Sequence, residues 1–167
     1  MALNLESKKV VVEEVAQYAA KAYSAVAAEY RGLTVGQLTE LRKKARETGV
    51  YVRVVKNTLA KRAVAGTEFE CMQDNMVGPL ILAFSMEDPG GAGRLIKDFA
   101  KTHDKLVAKI VAFDGTAYDG SELGRLASLP TRDQGISMIM ALMKEPVAKL
   151  ARTIAAVRDR KQEQEAA

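Results

Sequence analysis

Apolar residues recur along this chain with two spacings, three to four apart in some stretches and in short unbroken runs in others, which predicts helices alternating with strands. Val11, Val15, Tyr18 and Ala22 fall on one face of a helix over residues 5–22 that Asn4 can cap. Residues 24–30 read as a strand. After Arg31-Gly32, Thr34 and Gln37 make a capping box for a helix over 35–48, which Gly49 ends. The β-branched run 50–55 predicts a second strand, and Asn57 or Thr58 can cap a helix that Gly66 stops. Thr67 with Glu70 predicts a short helix to about residue 75. Gly78-Pro79 leads into an apolar strand over 80–84, Asp88-Pro89-Gly90-Gly91 into a helix reaching about Lys101, and 106–113 makes a fourth strand. Residues 114–128, punctuated by Gly115, Gly120 and Gly124, read as loop with at most a short helix.

Such alternation predicts an α/β fold: a sandwich-like globular domain over residues 1–130, about four strands covered by helices, with the strand order left open. Leu129-Pro130 marks its boundary. Beyond it, Thr131 and Gln134 form a third capping box, and Ile136, Met140, Met143, Val147, Leu150, Ile154 and Val157 are spaced alternately four and three apart. That is a heptad seam, so residues 131–167 read as a long C-terminal amphipathic helix. At 1.5 Å per residue a helix over 131–162 extends roughly 48 Å, whereas a domain of about 130 residues has a radius of gyration near about 14 Å. The helix is expected to outrun its domain. Burying seven such side chains stabilises by on the order of 10–20 kcal/mol at most, so the seam calls for apolar cover from another chain rather than from its own core. Pro146, which costs about 3 kcal/mol inside a straight helix, predicts a kink or short break near Glu145. It divides the seam into blocks 136–143 and 147–157. From Arg158 onward no apolar side chain is larger than alanine, and this tail is expected to fray.

Charge changes the picture of the first domain. Nine basic residues face only Glu40 and Glu47 between positions 31 and 62, so that stretch carries +7 against +4 for the whole chain. The surplus is local, as expected of a structured site for phosphates. Arg42, Lys43, Lys44 and Arg46 suit a solvated helix face. Arg53 does not, because a charge inside an apolar strand must point out of the sheet at whatever lies beside it. Arg31, Arg53, Lys56, Lys61 and Arg62 are the candidate phosphate contacts, with Gly32 allowing close backbone approach and Asn57 supplying an amide.

Candidate catalytic chemistry is thin. A lone cysteine, Cys71, and a lone histidine, His103, cannot build a His/Cys metal cluster, and no cofactor is expected. Cys71 is expected to pack and His103 to sit in a solvated turn. Gly91-Ala92-Gly93 fails the dinucleotide fingerprint at Ile96, and no Gly-Lys-Ser/Thr or Gly-x-Ser-x-Gly occurs. Glu13 with Glu14 reads as surface, and Glu87 with Asp88 as charge before a helix start. Met138, Met140 and Met143 suit either a core or a groove that accepts helices of another protein. The single cysteine, with no signal-like or membrane-spanning run in the first thirty residues, points to a cytoplasmic protein with no membrane partner.

Tyr30-Arg31-Gly32-Leu33-Thr34-Val35, Leu41-Arg42, residues 52–59 (VRVVKNTL), Phe69-Glu70-Cys71, Val77-Gly78-Pro79, Leu129-Pro130-Thr131 and Ala155-Ala156-Val157-Arg158-Asp159 occur in that order. Together they make the chain resemble the bacterial large-subunit ribosomal protein L-ten family, the ribosomal stalk base protein, over nearly its whole length. The resemblance implies a globular domain anchored on large-subunit rRNA of the GTPase-associated region, beside a neighbouring stalk-base ribosomal protein. It also implies a C-terminal helix carrying dimers of the L-seven/L-twelve stalk protein, which recruit translational GTPases. Repression of translation from its own messenger leader is a further role the resemblance carries. Against this stand a self-pairing, RNA-binding coiled-coil adaptor, weakened by Pro146 and by the lack of a regular flanking charge code, and a nucleic-acid-processing enzyme, for which Glu40 and Glu47 make a poor metal pair.

Overall fold

All six residues of the strand Leu80–Ser85 are buried, which is what an unbroken apolar run produces when helices cover both faces of a sheet. In the computed structural model, which describes residues 4–165, this strand (β3) lies second in a five-stranded antiparallel sheet of order β2-β3-β1-β4-β5. Its companions are β1 (Ser24–Glu29), β2 (Val50–Val54), β4 (Val107–Phe113) and β5 (Thr116–Asp119). Small side chains at Ala25, Ala27 and Ala28 let β1 sit in the middle of the sheet beneath helices on both sides. One face carries α1 (Leu5–Lys21) and α3 (Asn57–Val64), which bury Val15, Leu59 and Val64 with Phe69, Met72 and Phe84. The other carries α2 (Val35–Glu47), α4 (Gly91–Thr102) and α5 (Leu123–Ala127), which bury Leu41, Ile96, Phe99 and Leu126 with Val26 and Ile81.

Local signals place most of these elements. Asn4 Oδ1 accepts the Leu5 N–H at 2.8 Å, and Thr34 with Gln37 closes a reciprocal capping box at the start of α2. Three expectations need correction. Residues 114–128 are not loop: Asp114 and Gly115 adopt positive φ (52° and 72°), turning the chain so that Thr116–Asp119 pairs with β4 as a fifth strand before α5. All four β5 residues are exposed, so no hydrophobic period marks the strand. Neither Asn57 nor Thr58 caps α3, since Lys56 is the cap residue and makes no side-chain cap bond. The Thr67/Glu70 signal yields only a single 3₁₀ turn, Glu70–Met72, with the Glu70 carboxylate accepting the Gly66 N–H at 3.1 Å.

The chain divides into two units, the second beginning at Pro130. That second unit is one helix, α6 (Arg132–Glu165), opened by the expected box in which Thr131 N–H donates to Gln134 Oε1 at 3.1 Å and Gln134 N–H to Thr131 Oγ1 at 3.3 Å. Helix continues through Pro146, so of the expected kink or short break the break is absent; the proline removes one N–H donor from the i→i−4 ladder. Helix also continues to Glu165, past the expected end at 162 and into the tail expected to fray. Ala166 and Ala167, the last residues of that tail, lie outside the described residues.

Candidate functional site

Antiparallel register collects four chain crossings at one end of the sheet. Glu29 of β1 faces both Leu80 of β3 and Val107 of β4, and Val54 of β2 faces Ile81. The residues just outside these positions therefore share one end: Arg31 and Gly32 after β1, Lys56 and Asn57 after β2, Gly78 and Pro79 before β3, and Lys105 before β4. Arg31, Lys56 and Lys105 are exposed, and none makes an ion pair or side-chain hydrogen bond among the described residues. Gly32 turns the chain at φ +90°, and a Cβ there would sit 3.1 Å from Lys105 Cδ, so the glycine lets these two loops close on each other. Tyr30, Lys56, Asn57, Gly78 and Pro79 line a shallow groove between the crossings.

The expected site residues do not all meet here. Lys61 and Arg62 lie one turn further along α3, where Arg62 shares a groove with Leu5, Lys8 and Lys9 of α1. Arg53 is committed elsewhere. Side chains alternate along a strand, so Arg53 shares the face of Tyr51 under α1, where its guanidinium pairs with Glu14 and donates to the Tyr51 hydroxyl at 3.0 Å. The Tyr51 hydroxyl in turn donates to Glu14 Oε1 at 3.0 Å, and its ring stacks on Tyr18 at 3.8 Å between centroids. The Arg53 guanidinium and then the Tyr51 hydroxyl hold the Glu14 carboxyl below its ordinary range, and the same carboxylate raises Arg53. Burial pushes the Tyr51 phenol up. Glu14 is thus a partner of the strand and not simple surface. His103 likewise leaves the solvated turn expected for it: it packs on Phe99, 4.4 Å between rings, and lies 3.2 Å from Gln37 Nε2 through Nδ1. Cys71 is half-buried against the core, and burial raises its thiol.

The basic stretch 31–62 is therefore not one surface. Arg42, Lys43, Lys44 and Arg46 are exposed on α2, in the layer opposite α3, and Lys44 Nζ lies 5.5 Å from the centre of the Phe99 ring. What the sheet end gains instead are Lys105, just before β4, and Lys109 of β4, which no sequence spacing pointed to. Lys109 stands at a β-bulge, where pairing shifts from Ala27 with Ile110 to Ala28 with Ala108, and its ammonium donates to Val77 O at 3.0 Å.

In the second unit, all seven seam residues are exposed, from 48 % at Ile136 to 76 % at Met143. Met138, Ile139 and Leu142 are exposed as well, so the helix before Pro146 is apolar well beyond the heptad seam. Glu145 and Arg152 form a two-bond ion pair that spans the proline, both bonds at 3.2 Å. No helix among the described residues is long and apolar enough to cross a membrane.

A cation-rich sheet end and a helix with this much uncovered apolar surface define a protein built for assembly into a larger particle. Comparison with known families agrees. Residues 3–101 match Ribosomal protein L10, and residues 129–166 match the Ribosomal protein uL10 C-terminal region. Similar proteins named Large ribosomal subunit protein uL10 include those of Methylococcus capsulatus, 64 % identical over 97 % of this chain and 99 % of that protein, and of Thioalkalivibrio sulfidiphilus, 60 % identical over 97 % and 98 %. The chain belongs to the ribosomal protein L10 family. It is a structural, non-enzymatic constituent of the large ribosomal subunit, associated in the cytoplasm with ribosomal RNA.

Proposed function

We propose that the first unit grips the stalk-base region of large-subunit rRNA with the sheet end, and that α6 carries dimers of the L-seven/L-twelve stalk protein that recruit translational GTPases. Arg31, Lys56 and Lys105 supply phosphate contacts, Gly32 and Asn57 shape the loops that present them, and Lys61 and Arg62 extend the surface along α3. Arg53 leaves this set and serves the α1–β2 contact. Any role in GTP hydrolysis is indirect, through the partners the helix holds.

The exposed seam is the observation that carries the stalk reading, because Ile136, Met140 and Met143 before Pro146, and Val147, Leu150, Ile154 and Val157 after it, are at least 48 % exposed. Each block spans about two to three turns at 3.6 residues per turn, enough for one dimer of helical partners, so two stalk dimers bind per chain. Leu150→Asp with Ile154→Asp places unpaired charge in the outer apolar contact, which burial strongly disfavours. Native mass spectrometry of the wild type with stalk protein is expected to show two dimers, and of the double variant one, with RNA binding kept. Three dimers on the wild type, or loss of both from the variant, refutes the two-block reading. Self-association of the chain without stalk protein favours the coiled-coil adaptor instead.

A further inference from the structure

The loop between the 3₁₀ turn and β3 is held from two sides by polar side chains that do not serve the core. Asn57 Nδ2 donates to Gly78 O at 2.8 Å from α3, and Lys109 Nζ donates to Val77 O at 3.0 Å from the β4 bulge. Gly78 adopts φ +98°, where only glycine is unstrained, and a Cβ added there would lie 3.9 Å from Lys109 Nζ. Two adjacent carbonyls are thus taken up by side-chain donors. What the loop presents outward is apolar: Val77 is 62 % exposed. The Gly78 N–H makes no hydrogen bond among the described residues. An exposed valine and an open amide thus stand at the same end of the sheet as Arg31, Lys56 and Lys105.

We propose that the Val77–Gly78 loop is a backbone-reading contact of the RNA surface: Gly78 N–H donates to an RNA backbone oxygen, Val77 packs on the adjoining sugar, and Lys109 is a positioning residue that braces the loop. The proposal rests on the sheet end being the RNA site. Its physical basis is that backbone amides and small apolar groups read RNA by shape and by contacts to sugar and phosphate. A bulge supplies the brace because its extra residue is left unpaired in the ladder and can be re-aimed. Lys109 spends one of its three donors on Val77 O, and removing the side chain loosens the loop without altering the other cations.

The test uses the full chain, the stalk-base rRNA fragment as probe, and titrations at several KCl concentrations. Lys109→Met is expected to weaken binding about tenfold, the factor that corresponds to about 1.4 kcal/mol. Its salt slope is expected to stay within about 0.3 of wild type, whereas Lys56→Ala lowers the slope by about 0.7–0.9. Lys109→Arg, which keeps a donor, restores affinity, and Val77→Ser weakens binding with the thermal midpoint unchanged. In NMR, Gly78 amide exchange slows on RNA binding in the wild type and not in Lys109→Met. A slope change in Lys109→Met equal to that of Lys56→Ala makes Lys109 a phosphate ligand and overturns the brace. Wild-type affinity in both Val77→Ser and Lys109→Met removes the loop from the interface while leaving the sheet-end reading intact. If Lys56→Ala and Arg31→Ala also bind as wild type, it is the sheet-end reading itself that fails.

Discussion

Removing three cations from the sheet end tests whether register, and not sequence proximity, assembles the RNA surface. Arg31, Lys56 and Lys105 come from three separate crossings, and each is exposed with no ion-pair partner among the described residues. Each phosphate contact contributes about 0.7 to the salt slope on single-stranded and about 0.9 on duplex nucleic acid, so three contribute about 2.1–2.7. Across a fourfold rise in salt, that slope amounts to about 1.3–1.6 decades of affinity, or about 20- to 40-fold. Arg31→Ala/Lys56→Ala/Lys105→Ala is therefore expected to bind the stalk-base rRNA fragment with a slope about two to three units shallower than wild type. Arg53→Ala is the contrasting variant. Its guanidinium is occupied by Glu14 and Tyr51, so its removal leaves the slope within about 0.3 of wild type while lowering the urea midpoint. Fluorescence anisotropy at four or more KCl concentrations reads both. The reasoning is refuted by an Arg53→Ala slope that drops as the Lys56→Ala slope does, or by a triple variant with an unchanged slope.

Further outcomes follow from particular contacts. A Cβ on Gly120 would lie 1.9 Å from Ala108 O, so Gly120→Ala must push the second 3₁₀ turn, Gly120–Glu122, off β4. It is expected to cost about 3 kcal/mol or more, read as a lower urea midpoint, while Gly124→Ala, whose nearest neighbour is Lys97 Nζ at 4.0 Å, stays near wild type. Equal midpoints for the two variants contradict this packing. Because Arg53 lowers the Glu14 carboxyl in the folded state, its share of stability is present above the ordinary carboxyl value of 4.5 and is lost as pH falls through the lowered folded value. Glu14→Gln is therefore less stable than wild type at pH 7, and the two converge in acid; a gap that does not narrow argues against the linkage.

How much the sequence disclosed depends on how local each signal is. Thr34 with Gln37 and Thr131 with Gln134 are four-residue devices, and both close as spacing predicts. Long apolar runs such as Leu80–Ser85 are equally legible, because burial on both faces leaves no room for polar alternation. β5 carries no such mark, since Thr116, Ala117, Tyr118 and Asp119 are all exposed, and only the turn at Asp114-Gly115 hints at a hairpin. Asn57 shows the competition directly: an asparagine before a helix is a capping signal, yet its amide finds Gly78 O, a partner brought close only by the pairing of β2 with β3.

The same distinction explains why the charge pattern groups cations that the fold separates. From α1 to α4 this chain sends each helix to the face opposite the one before it, so that α2 joins the layer of α4 and α5 while α3 joins that of α1. Nine basic residues contiguous in sequence are divided by that alternation. Arg53, on the strand between those two helices, is taken up by Glu14 before it can reach a ligand. Antiparallel register does the reverse, bringing Lys105 and Lys109 to the end that holds Arg31 and Lys56, through the pairing of β4 with β1, of β1 with β3 and of β3 with β2. Strand order, which no spacing in the sequence encodes, decides which cations share a surface. For α6 no such step intervenes: a heptad seam needs only helical geometry, so its exposed face could be read from residue numbers alone.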